Sequence, residues 1–216
     1  VTKKKNISAS EIITFYMDYV IEHHGKPESI EDFSQLHHFD DSIFYTHFTS
    51  FKDLEKTIFN ALFENSLVIL KQSPEYPSFG KKDKLLSLYY TFFENLSLNR
   101  EYIEMTLKGF ENQLKALAVF SKLKRSFSAF IDELDLDTFN LNVDSIETIQ
   151  KKTIKESAWI QLLLTMKFWL DDTSEAFEKT DIFIEKSLNT SFELLDTKTL
   201  HNIIDLAKFL YNEKVK

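Results

Sequence analysis

Apolar residues return at intervals of three and four along most of the chain, and polar capping positions interrupt them. That period belongs to amphipathic helices. Ile12, Phe15, Tyr16, Tyr19 and Val20 fall on one face, which predicts a first helix over about 9–24, stopped by Gly25 and Pro27. A short second helix over 30–37 is expected to bury Ile30, Phe33 and Leu36. A third, over 41–48, is expected to turn Phe44, Tyr45 and Phe48 inward, and a fourth runs from Phe51 to about Gln72. Ser8-x-x-Glu11, Ser29-x-x-Asp32 and Ser50-x-x-Asp53 each put a hydroxyl at a helix start and a carboxylate three residues on. The hydroxyl accepts an orphan backbone N–H, and the carboxylate suits the positive helix end. Asp40 and Asp41 serve the third helix in the same way.

The segment 73–82, "SPEYPSFGKK", holds two prolines and a glycine and reads as a linker. Beyond it the helical period resumes through Leu85, Tyr89, Phe92, Phe93 and Leu96. A shorter helix is expected over 101–110, followed by one through Phe120, Leu123, Phe127, Phe130 and Leu134. A polar loop over 135–144 separates these from a long helix over 145–170. Asp172 and Glu175 cap the next helix, which carries Phe177, Ile184, Leu188, Phe192 and Leu195; a last one carries Leu200, Ile203, Ile204, Ala207, Leu210 and Tyr211. The reading is all-α, without a strand or an internal repeat.

Composition sharpens this. Three glycines and three prolines in 216 residues are too few for a turn-rich β protein. The absence of cysteine excludes disulfides, thiolate chemistry and zinc sites built on cysteine. Residues 158–170, the longest apolar run, are broken by Gln161, Thr165 and Lys167 and are too short to span a bilayer. No signal-peptide pattern follows the N-terminal lysines. A cytoplasmic protein with no membrane span is therefore expected.

The stretch "IFYTHFTSFKDL", with Tyr45, His47, Phe48, Ser50 and Leu54 in register, resembles the Leu-Tyr-x-His-Phe-x-Ser-Lys-x-x-Leu signature of the TetR family of bacterial regulators. Gly25 after the first helix and "SIEDF" in the second extend the match to about a quarter of the chain, from Ile12 to Leu54. The run "FWLDDTSEAFEKTDIFIEKSL" is similar, more weakly, to paired dimerisation helices of some members. The resemblance implies a three-helix, helix-turn-helix head over 1–54, with helix 4 connecting it to a larger effector-binding and dimerisation domain over 55–216. It implies a ligand-responsive homodimeric transcriptional regulator, not an enzyme, that places helix 3 on double-stranded DNA. The DNA-contacting set it implies is Lys3, Lys4, Lys5, Ser42, Ile43, Tyr45, Thr46, His47 and Lys52.

The charge of the head departs from that plan. Residues 1–53 carry five lysines, no arginine and nine carboxylates, a net of −4, and the whole chain carries −8. Phosphate neutralisation supplies nearly all non-specific affinity for duplex DNA. The family's turn glycine is His38 here, its Ser-x-Gly at the start of helix 3 is Asp40-Asp41-Ser42, and its phosphate-binding lysine at the start of helix 4 is Phe51. The alternative is a TetR-fold protein that has lost DNA binding and holds a lipid or another hydrophobic small molecule.

For the small hydrophobic ligand, the aromatic stripe supplies Tyr89, Phe92, Phe93, Tyr102, Met105, Phe110, Phe120, Phe127, Trp159, Leu163 and Met166, with Gly109 relieving crowding beside it. For the dimer interface, Leu162, Met166, Trp169, Leu170, Phe177, Ile184, Leu188 and Phe192 lie on two neighbouring helices. Neither His23-His24 nor His37-His38 is spaced to chelate, and Asp171-Asp172 and Asp135-x-Asp137 read as caps and loop residues. No phosphate loop, catalytic triad, metal site or cofactor motif is present.

Overall fold

A computed structural model describes residues 7–108, 117–136 and 144–195. Among them every regular element is a helix, so the fold is all-α: α1 Ala9–His23, α2 Ile30–Leu36, α3 Asp41–His47, α4 Phe51–Gln72, α5 Lys81–Leu98, α6 Arg100–Lys108, α7 Ser121–Glu133, α8 Asp144–Asp171 and α9 Glu178–Leu195. Lys3, Lys4, Lys5, Gly109, Phe110, Asp137 and the expected last helix lie outside the described residues. The chain forms two compact units: residues 1–68 with 94–127, and residues 69–93 with 128–216.

The first unit contains the head. Ser8 and Glu11 form a full capping box on α1, Ser29 accepts the Asp32 amide on α2, and Asp40 accepts the Ser42 amide on α3. Ser50 accepts the Asp53 amide at the start of α4. Each cap contributes about 1 kcal/mol, which matters most for the two seven-residue helices. The head closes on an aromatic cluster in which Phe33 meets Tyr16, Phe44 and Phe51 edge-on at 6.1, 6.4 and 5.6 Å. Two expectations fail here. Leu36 and Tyr45, assigned to the core, are 53% and 56% exposed, because the short helices bury one residue per turn and Phe33 and Phe44 take those places.

The end of α1 also differs. The left-handed residue is His24, at φ 51°, and among the described residues no glycine has positive φ. The His23 ring stacks on Tyr19 at 4.0 Å, and its Nδ1 meets the Tyr19 carbonyl oxygen at 3.0 Å, so side chains finish the turn. His38 is left-handed as well, at φ 58°. Below the cluster, Glu55 is buried at 3% exposure; its Oε1 accepts the Tyr16 hydroxyl at 2.7 Å and pairs with Lys26 at 2.6 Å. Burial and the Glu55 charge push the Tyr16 phenol far above its ordinary pKa, so it remains a donor. α6 packs against α1, with Tyr102 edge-on to Tyr16 at 6.4 Å. Lys122 of α7 holds the start of α4 through Asp53 at 2.7 Å and Thr57 at 2.8 Å.

The second unit is built on α8 and α9, packed as a hairpin around Met166, Trp169, Ile184 and Leu188. Its turn is pinned by Asp172, which is 5% exposed. One carboxylate oxygen accepts the Ser174 amide and hydroxyl at 2.8 and 2.7 Å; the other accepts the Thr180 amide and hydroxyl at 2.9 and 2.6 Å. Burial alone would raise its pKa, but the four hydrogen bonds outweigh burial and lower it to about 2. They also hold Ala176 and Phe177 at φ 50° and 60°, a left-handed pair with no glycine. The expected linker is ordered instead: Tyr76 is buried, meets Phe79 at 6.1 Å, and lies within this unit.

Two outcomes follow from the caps and the backbone. Asp172 has a depressed folded pKa, so its contribution is complete above the unfolded value near 4 and is lost as pH falls toward 2. Asp172→Asn should cost about 2 kcal/mol at pH 7, with the gap from wild type closing as the pH falls below 4, measured by urea melts followed through the fluorescence of Trp159 and Trp169. His38→Gly should stabilise the head by about 1 kcal/mol, and His38→Val should destabilise it, read as shifts in thermal midpoint.

Candidate functional site

The outward side of α2 and α3 is the surface that the helix-turn-helix resemblance singles out. On α3, Ser42, Tyr45, Thr46 and His47 are exposed and Ile43 is half-buried. Three of these side chains are engaged within the protein. The Ser42 hydroxyl donates to Asp40 Oδ1, the Thr46 hydroxyl donates to the Ile43 carbonyl at 2.6 Å, and His47 Nε2 meets the Ile7 carbonyl oxygen at 3.2 Å. Tyr45 projects its ring outward, braced edge-on against the buried Phe44 at 5.8 Å.

The charge on this surface is predominantly negative among the described residues. Between Lys26 and Lys52 the chain has no lysine or arginine and five carboxylates. Glu28, Glu31, Asp32 and Asp41 are exposed, and Asp40 is half-buried as the α3 cap. Lys52 is exposed, whereas Lys26 is paired with Glu55. Phe51, where the helix-turn-helix resemblance would put a lysine, stacks on Tyr16 at 5.2 Å and meets Phe44 edge-on at 5.4 Å. That position has been given to packing. His37, stacked on Phe15 at 4.5 Å, has its pKa lowered by burial, with Asp18 and Glu22 opposing the shift, so it supplies little positive charge near neutrality.

The expected ligand-pocket residues fall into both units. Tyr102, Met105, Phe120 and Phe127 belong to the first, where Phe120 packs on Phe59 at 4.9 Å and Phe127 on Phe63 at 6.1 Å. Tyr89, Phe92, Phe93, Trp159, Leu163 and Met166 belong to the second, where Phe93 meets Tyr89 and Trp169 at 6.1 and 6.3 Å. Burial raises the Tyr89 phenol well above its ordinary pKa.

Of the expected interface residues, Leu162, Met166, Trp169, Ile184 and Leu188 are buried inside the second unit, while Leu170, Phe177 and Phe192 are half-buried. The opposite face of the same two helices carries further apolar side chains, and these are exposed. Ile160 and Leu164 of α8 are each 55% exposed and Ile182 of α9 is 49% exposed. Phe168 and Phe183 stack at 4.6 Å and 8° beside them. Together with Lys179, Lys186 and Thr190, Phe168, Ile182 and Phe183 line an open, mainly apolar groove of about 570 Å³. Ile160, Leu164 and Phe168 recur every four residues, a second stripe that was present in the sequence. A second recess, of about 270 Å³ and more polar, lies beside the Lys155–Asp132 ion pair.

Among the described residues no group of three or more histidine, cysteine, aspartate or glutamate side chains could hold a metal ion, and no helix is long and apolar enough to cross a membrane. No curated protein matches the chain. The family model of the tetracyclin repressor-like C-terminal domain matches residues 84–210, more than half of the 216 residues. The chain belongs to the tetracyclin repressor-like, or TetR, family.

Proposed function

We propose that this TetR-type protein works as a homodimer, takes a small hydrophobic molecule in its C-terminal part, and has a head that no longer grips duplex DNA. In this reading residues 1–54 are the former reading head and 55–216 the effector-binding and dimerisation part. One observation carries it: the segment from Pro27 to Phe51, which holds α2 and α3, has five carboxylates, four of them exposed, and no lysine or arginine. A surface of that sign repels the phosphate backbone at the distance where steering begins. The buried aromatic residues of the second unit supply apolar surroundings for a ligand, which would enter by displacing packed side chains.

A second reading keeps DNA contact. It is favoured by Ser42, Tyr45 and Thr46, which share the exposed side of α3, and by Lys3, Lys4 and Lys5, a basic run that precedes α1 in the sequence. Under this reading the protein is a ligand-responsive transcriptional regulator.

The homodimer is supported by the outward face of α8 and α9. Covering Ile160, Leu164, Phe168 and Ile182 with a second copy removes half-exposed aliphatic and aromatic surface from water, at roughly 1 kcal/mol for each side chain. The interface then lies on the face opposite to Leu162, Met166 and Trp169.

Fluorescence anisotropy with duplexes from the protein's own upstream region separates the two readings. The first expects no binding stronger than to random duplex, even at low salt. Sequence-specific binding that is lost in Tyr45→Ala, or in a combined Lys3→Ala, Lys4→Ala and Lys5→Ala variant, would establish the second. Sedimentation velocity tests the interface. Wild type should be a dimer at micromolar concentration, and Leu164→Glu with Ile182→Glu should give a folded monomer; a monomeric wild type would contradict it.

A further inference from the structure

α2, α3 and the residues that lead into α2 carry an exposed aromatic ring, an exposed aliphatic side chain and several carboxylates that are unpaired among the described residues. Tyr45 and Leu36 are 56% and 53% exposed on two helices that pack together. Glu28, Glu31 and Asp41 are exposed and make no hydrogen bond or ion pair among the described residues, and Asp32 is engaged only in its own helix cap. We propose that this face is a docking surface for a cationic protein segment, with Tyr45 and Leu36 as apolar anchors and these four carboxylates as the charged surround. The proposal rests on the reading that the head does not grip duplex DNA.

Three features select that occupant. Like charges gathered on two short helices repel one another, a cost that a lysine- or arginine-rich partner removes. A second copy of the same face, or a nucleic acid, would add to it. The Tyr45 ring is pre-positioned: it sits on the buried Phe44 in a helix capped by Asp40, so little side-chain freedom is lost on docking. An exposed aromatic with Asp41 one helical turn before it, on a helix packed against the acidic α2, has the make-up of an interface anchor, with the carboxylates setting sign and the ring supplying contact area.

The test uses the full chain and a fluorescent peptide of alternating arginine and leucine, with a random DNA duplex as the second probe. Peptide binding should weaken about tenfold in Glu31→Lys with Asp41→Lys, and at least about threefold in Tyr45→Ala, which leaves the charge unchanged. Glu64→Lys with Glu101→Lys, the same charge change on α4 and α6, should alter it less than about twofold. Thermal melts confirm that each variant is folded. If the two charge-reversal pairs weaken binding equally, if Tyr45→Ala has no effect, or if the peptide does not bind at all, the docking surface is overturned. Duplex binding that requires Tyr45 would instead overturn the reading on which the proposal rests. Failure of both probes removes the docking surface alone.

Discussion

Edge-to-face packing of Phe33 against Tyr16, Phe44 and Phe51 is the contact on which the head depends. α2 and α3 have seven residues each and cannot persist alone, so the aromatic cluster must hold them. Drawing Phe51 into that cluster has a consequence at the surface. The first residue of α4 is the place where a phosphate-binding cation would stand in the family pattern, and here it carries a half-buried ring. The ring that starts α4 is committed to packing and brings no charge to the outer surface.

The same trade recurs around it. Asp40 is committed to capping α3 and Ser42 to Asp40. Glu55 and Asp53 are held by Lys26 and Lys122, so two cations of the first unit are spent on internal carboxylates. The buried Glu55 pair is a costly feature unless its hydrogen bonds are complete, and Tyr16 supplies one of them. The remaining exposed carboxylates, Glu28, Glu31 and Asp41, give the α2–α3 face its sign.

Much of this was legible in the residues. The caps at Ser8, Ser29 and Ser50 fixed where α1, α2 and α4 begin, because a hydroxyl with a carboxylate three residues on has a local meaning. The acidic head could be counted directly. The rest depends on long-range packing. A stretch such as Trp159 to Trp169 is apolar on more than one side, and its period does not say which side faces inward; Trp169 and Leu162 went in, Ile160 and Leu164 out. Gly25 looked like the left-handed stop of α1, yet His24 holds that conformation, helped by a His23–Tyr19 contact that no propensity encodes. Tyr45 looked like core until Phe44 claimed the inward position.

The central claim is that the α2–α3 face is electrically unsuited to phosphate. Backbone amide chemical shifts of the full chain, recorded while duplex DNA is added at low salt, test it most directly. The account predicts that the amides of Ser42, Tyr45 and Thr46 stay in place throughout the titration. Progressive, saturable movement of those signals would contradict it.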